Sequence, residues 1–515
     1  MRAIRAGIAL AVLVLAFVAA GCGSHSGDTT APDPATPHVL RRGLGAEPGT
    51  LDPHLAADNA ALAVVADLHE GLTTEASDGS IAPGHAESWI VADDGRVYTF
   101  RLRHGLRWSN GDALTAEHFA AGLRHALATA TASPNAGLLD AVEHVVAVDA
   151  ETLRIRLRRP VPYLPAVLAL PVASPMHPQA ASLAARPGNG PYRLVRRLPG
   201  ERIELERNPH YWDAANVSIA SVTHVTVSDL TTEVSLYRTG ELDLTSEVAN
   251  TQLHELQERL PGELQLVPYL SVYAYAVNLA RLPDPRARLA LAMAIDRSRI
   301  TQQVTGAGEL PAYGWVPDGI AGYTPARFAW RDMPHSQAVE QARQLWEAAR
   351  RAHAAPSRLK LCTDASANHH RTAIAIADLW RSALGVETEI VELEWTVYLD
   401  TRRHPGECDL VRFGWSADFV DPEAFAMVFE SDHPQNTLGY ANAAYDEWLA
   451  RSRAGTDIGR RMAELAGAEA LLLQDAPVIP VFFRVSKRLA KPYLQGAIPN
   501  PLGHVASRNL RFTQP

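Results

Sequence analysis

The segment RFGWSADF, Arg412 to Phe419, closes a run of aromatic and small residues with one carboxylate, Asp418. An acidic side chain at a strand end ordinarily caps a helix or closes a turn, and a cationic ligand group is its other natural partner. His369 and His370 are adjacent and invite a metal. Neighbouring side chains in a loop rarely ligate one ion together, however, and no carboxylate cluster at ligand spacing accompanies them, so no metal site is expected. The chain carries no HExxH, G-x-S-x-G, GxGxxG or Walker sequence, which removes the recognisable hydrolase, dinucleotide and phosphate motifs. No pair of carboxylates stands out for glycoside chemistry. No catalytic or cofactor motif is thus recognisable in these residues.

The elements around them support a ligand site. VYTFRLR (Val97 to Arg103), LRIRLRR (Leu153 to Arg159) and ERIELER (Glu201 to Arg207) alternate with period two and predict half-exposed strands. In the C-terminal half, SQAVEQARQLWEAARRAH predicts a helix, LKLCT a strand, HRTAIAIADLWRSAL a helix and VETEIVELEW a strand, followed by a helix and the strand DLVRFGW. That order predicts βαβαβ units in a mainly parallel sheet, whose ligands bind beyond the carboxyl ends of the strands. Asp418 lies just past one such end.

Length and composition set the class. A chain of 515 residues is expected to form roughly two to four domains of ~150 residues. With 47% hydrophobic and 20% charged residues it has an ordinary globular composition. The net charge of -9, with only three lysines and no basic arm, gives no support to a nucleic-acid partner, and none is expected.

The N-terminus sets the compartment. Arg2 and Arg5 precede an uncharged, mostly apolar run from Ala6 to Ala20, short for a membrane span and suited to the core of a secretion signal. It ends in Ala19-Ala20-Gly21-Cys22, which resembles a bacterial lipobox in which Cys22 receives the lipid. A leucine is usual where Ala19 stands. Residues 23–37, GSHSGDTTAPDPATP, read as a flexible tether, and the mature protein is expected outside the cytoplasmic membrane. Cys362 and Cys408 remain in the folded body. They could form a disulfide or stay as buried thiols, and their strand-like settings favour thiols.

The ordered series EPGTLDPHLA, LHEGL, IAPGHAESWIVADDGRVYTFRLRHGLRWSNGDALTAEHF, NGPYRL, IELERNPHYW, YRTGELDL, LALAMAIDR and GWSADFVDP resembles the oligopeptide-binding proteins of bacterial ABC peptide importers, solute-binding protein family 5. The resemblance covers nearly the whole mature chain. It implies an α/β, two-lobe periplasmic-binding-protein-like fold of type II, with three domains, a hinge and no catalysis. The implied division is a lipoprotein signal peptide at 1–22, the tether at 23–37, a lobe I domain from 38–69, 190–271 and 484–515, a family-specific extra domain at 70–189, and a lobe II domain at 272–483.

A receptor for many peptides must bind what all peptides share, the backbone and its two charged ends. By resemblance, Asp418 pairs with the ligand α-ammonium, Arg412 meets the terminal carboxylate of short peptides, and His369 serves slightly longer ones. Gly414, Trp415 and Ser416 supply main-chain hydrogen bonds from one lobe, and Ala57 to Ala60, including Asn59, from the other. Trp395 and Trp415 wall side-chain pockets. Relatives carry a disulfide where Ser271 and Ser416 stand, so an intact contact without the bond is expected. Their acidic residue at the pocket mouth falls on Ala57, beside Asp58. The implied partners are an oligopeptide, the ABC permease and, through the anchor, the membrane, with the protein a monomer in the periplasm or on the outer face of the cell membrane. The same fold could instead take murein peptide, dipeptide, haem or a signalling peptide. A secreted hydrolase is the remote alternative.

Overall fold

The computed structural model describes residues 39–178, 187–433, 435–454 and 457–513. The signal segment, Cys22 and the tether lie outside the described residues. Three sheets organise the rest. The first is four-stranded, in the order Val39–Gly45, Ser221–Thr226, Arg202–Arg207 and Tyr192–Leu198. Its first pair is parallel and the others antiparallel. The second is an antiparallel sheet of Ala86–Val91, Val97–Leu102, Thr152–Leu157 and Val142–Ala147. The predicted alternation holds in both sheets: Tyr98, Phe100 and Leu102, Leu153, Ile155 and Leu157, and Ile203 and Leu205 all turn inward to the core.

The third sheet has six strands, in the order Leu310–Pro311, Val478–Leu489, Leu264–Val277, Leu410–Ser416, Arg358–Asp364 and Glu387–Leu393. The predicted units are present: Arg358–Asp364 runs parallel to both Glu387–Leu393 and Leu410–Ser416, joined through helices Ala367–Leu384 and Trp395–Arg403. The sheet as a whole is nevertheless mixed rather than mainly parallel. Leu264–Val277 pairs antiparallel with Leu410–Ser416 on one side and Val478–Leu489 on the other. These long strands come from distant parts of the sequence, so local periodicity could not place them.

Helix His335–Arg351 buries Ala338, Ala342, Trp346 and Ala349, a spacing of four, four and three that draws one apolar stripe along it. Helix Ala367–Leu384 buries Ala373, Ile376, Leu379, Trp380 and Ala383 and stops at Gly385, whose φ of 66° needs a residue without a Cβ penalty. Its Trp380 indole donates to the Leu291 carbonyl at 2.9 Å, which fixes the rotation of the helix and hence of His369 in its first turn. Among the described residues no helix is long and apolar enough to cross a membrane.

Cys362 and Cys408 form a disulfide with Cα atoms 5.9 Å apart, which corrects the expectation of two thiols. Cys362 lies within Arg358–Asp364, and Cys408 stands two residues before the neighbouring strand Leu410–Ser416. Sheet pairing, invisible in the separate segments, brings the two sulfurs within bonding reach.

Candidate functional site

Leu410–Ser416 is where the expected residues meet. Along one edge it pairs with Leu264–Val277 from Leu410 through Ser416. Along the other, Arg358–Asp364 pairs only with Leu410 and Val411. From Arg412 to Ser416 that second edge therefore has no strand partner among the described residues, although the Tyr398 hydroxyl donates to the Arg412 carbonyl at 3.0 Å.

At the start of this open edge lies a charged cluster. Arg412 is 8% exposed. Its Nη1 donates to the Tyr398 hydroxyl at 2.9 Å and its Nη2 to His369 Nε2 at 3.2 Å, and its Nε lies 3.7 Å from Asp364 Oδ1. His369 Nδ1 lies 2.8 Å from the same carboxylate. Burial, helped by the charges of Arg412 and Arg484, outweighs Asp364 and lowers the His369 pKa. The ring is thus neutral near pH 7, donating from Nδ1 to Asp364 and accepting at Nε2 from Arg412. Burial raises Asp364, but the His369 hydrogen bond and the nearby guanidinium prevail and hold it below the usual carboxylate range.

Asp364 and Tyr398 are members of the cluster that sequence reasoning missed. The available signal for Asp364 was its place just past the end of the predicted strand LKLCT. His370 turns elsewhere, its Nδ1 2.5 Å from Glu392. Of the adjacent histidines, only His369 joins Arg412.

At the other end of the edge, Asp418 makes no hydrogen bond or ion pair with any described residue. It keeps part of its surface, yet loss of water pushes its carboxyl up to about 6, opposed only by the charge of His504. Between the two ends, Trp415 is tethered by an indole donation to the Ala424 carbonyl at 2.7 Å. Ser416 Oγ meets Ser271 Oγ at 2.8 Å, so the expected contact exists without a covalent bond. Gly414 sits opposite Tyr273, and a Cβ there would approach the Val272 carbonyl at 3.0 Å.

Other expected residues lie further out. Trp395 opens helix Trp395–Arg403, 54% exposed, with its ring 5.4 Å from that of Tyr398. Ala57 and Asn59 are exposed at the start of helix Asn59–Leu68. Asp58 caps that helix, accepting from Ala61 N at 2.8 Å. No hydrogen bond joins these residues to Leu410–Ser416 among the described residues. A cavity of about 140 Å³ opens beside the charged cluster, lined in part by His369, Tyr273 and Arg484. It reaches His369 but not Asp418.

Comparisons with known proteins agree on one family. Residues 80–437 match the model of bacterial extracellular solute-binding proteins, family 5. The periplasmic oligopeptide-binding protein OppA of Escherichia coli is 34% identical over 542 residues, covering 99% of this chain and 98% of that protein. The periplasmic murein peptide-binding protein MppA of Escherichia coli is 33% identical, covering 92% of each. The crystal structure of Haemophilus influenzae OppA in complex with RPPGFSPFR superposes with a TM-score of 0.79 at 33% identity, covering 92% of this chain and 99% of that one.

Proposed function

The chain belongs to the bacterial extracellular solute-binding proteins, family 5, and from that premise we propose that it captures peptides outside the cytoplasmic membrane and delivers them to an ABC importer. The observation that carries this reading is the open strand edge between a carboxylate without a counter-ion and a cationic corner. Arg412 to Ser416 covers four steps of ~3.3 Å, about 13 Å, the reach of a short extended peptide. A peptide laid along that edge exchanges main-chain hydrogen bonds with Gly414, Trp415 and Ser416 and needs no particular side chains. Its ammonium meets Asp418. Its terminal carboxylate meets the corner of Arg412 and His369, with Ala57 to Ala60 closing from the opposite lobe and Trp395 and Trp415 as walls.

Recognition of this kind makes and breaks no covalent bond, so the protein is a receptor and not an enzyme. The division into lobe I (38–69, 190–271 and 484–515), an extra domain (70–189) and lobe II (272–483) supplies the hinge. Cys22 carries the lipid that holds a monomer at the periplasmic face. A murein peptide is the second reading, favoured by the 33% identity to MppA over 92% of both chains.

Calorimetry with tri-alanine, tetra-alanine and a murein tripeptide tests both. Saturable binding of the alanine peptides supports the general receptor, and binding of the murein tripeptide alone supports the second reading. Silence with all three rejects peptide capture.

A further inference from the structure

One guanidinium lining the cavity has neither a hydrogen-bond nor an ion-pair partner among the described residues. Arg484 projects from Val478–Leu489 and makes no hydrogen bond or ion pair with any described residue. Its guanidinium carbon lies 5.8 Å from the centre of the Tyr273 ring, and its charge helps keep His369 neutral. The other cations nearby are occupied: Lys487 pairs with Glu309 at 3.0 Å, Arg371 donates to the Asn368 side chain at 2.5 Å, and Arg412 is held by Tyr398, His369 and Asp364. Room for Arg484 is made by Gly414, since a Cβ at that position would stand 3.1 Å from Arg484 Nη2.

We propose that Arg484 is a specificity-determining residue that receives a ligand carboxylate in this cavity. The inference rests on the peptide-receptor reading. A half-buried guanidinium offers a planar fork of donors that matches a carboxylate and is only partly served by water. Arg412 already donates from each terminal nitrogen within the protein, whereas Arg484 can bond an incoming anion without first losing a partner, so Arg484 adds its fork to the corner of Arg412 and His369. The carboxylate could be the peptide's C-terminus or an acidic side chain.

Two double-mutant cycles separate these sources, each comparing native protein with Arg484→Gln by calorimetry or competition. The first uses Ala-Ala-Ala against its C-terminal amide, and the second Ala-Glu-Ala against Ala-Gln-Ala. A charged hydrogen-bonded pair gives an expected coupling of about 10- to 100-fold in at least one cycle. The cycle that shows it identifies the source, and Arg484→Lys is expected to recover part of the loss. Tri-alanine binding with both cycles near unity would overturn the Arg484 assignment alone. No binding of any peptide to the native protein would instead remove the receptor reading, and the assignment with it.

Discussion

Asp418 is a carboxylate held where water is scarce and where the charge of His504 compensates only in part, so its carboxyl rises to about 6. A raised carboxyl favours the fold in its protonated state. That contribution is complete below its ordinary value of 3.8 and is lost as the pH climbs through about 6. Ligand binding runs the other way, because only the ionised carboxylate can pair with an ammonium. Peptide affinity is therefore expected to fall as the pH drops below about 6, approaching tenfold per pH unit, with proton release visible as a buffer-dependent binding enthalpy. Asp418→Asn should flatten that profile and weaken free peptides by ~2–5 kcal/mol, about 30-fold or more. N-acetylation of the peptide should weaken the native protein similarly and add little in the variant. Equal affinity of native protein for free and acetylated peptide would make Asp418 a turn residue only. RFGWSADF made Asp418 and Arg412 visible because one short motif carries both, Arg412 within the strand and Asp418 just past its end. Asp364, Tyr398 and Arg484 stayed hidden because they reach the cluster from other strands and a helix, and their spacing along the chain carries no trace of that approach.

The strand Leu410–Ser416 is positioned by covalent and noncovalent ties at its two ends. At the start, the Cys362–Cys408 disulfide joins it to Arg358–Asp364, next to the buried Tyr398 that holds Arg412. At the end, the Ser271–Ser416 contact fastens it to Leu264–Val277. The period-two and helical patterns made the separate elements legible. The neighbour relations between strands were not legible, which is why the mixed sheet and the disulfide both departed from expectation. The disulfide spans 46 residues of sequence, and closing a loop of that size in the unfolded chain is worth up to about 4 kcal/mol. The double substitution Cys362→Ala and Cys408→Ala should lower the midpoint of urea unfolding correspondingly. It should also weaken peptide binding, because the strand carrying Arg412 loses its covalent tie to the strand carrying Asp364. An unchanged midpoint would show the bond to be energetically idle.

Across the molecule, Leu264–Val277 and Val478–Leu489 link the six-stranded sheet to the first sheet. Their pairing runs in a first stretch from Leu264 to Pro268, shifts register before Val272, and shifts again between Tyr273 and Ala274. Beyond the first stretch, Leu489 accepts from Thr245 N at 3.0 Å, and Leu244 bridges both Arg42 and Ala490. Two long strands with interrupted pairing can rotate at the interruption while the sheets on either side stay intact, since a hinge needs only a few residues to absorb the change in backbone angles. A peptide that touches both sides of such a joint stabilises the closed arrangement by whatever contacts exist only there, and it cannot shift the equilibrium further than that difference allows. Small-angle scattering with saturating tri-alanine should therefore give a smaller radius of gyration than the ligand-free protein, with each lobe's own packing unchanged. N-acetylated peptide, deprived of the Asp418 contact, should need higher concentrations to reach the same compaction. A constant radius under conditions where calorimetry shows full occupancy would mean that the strands form a rigid connection and that the peptide enters without closure.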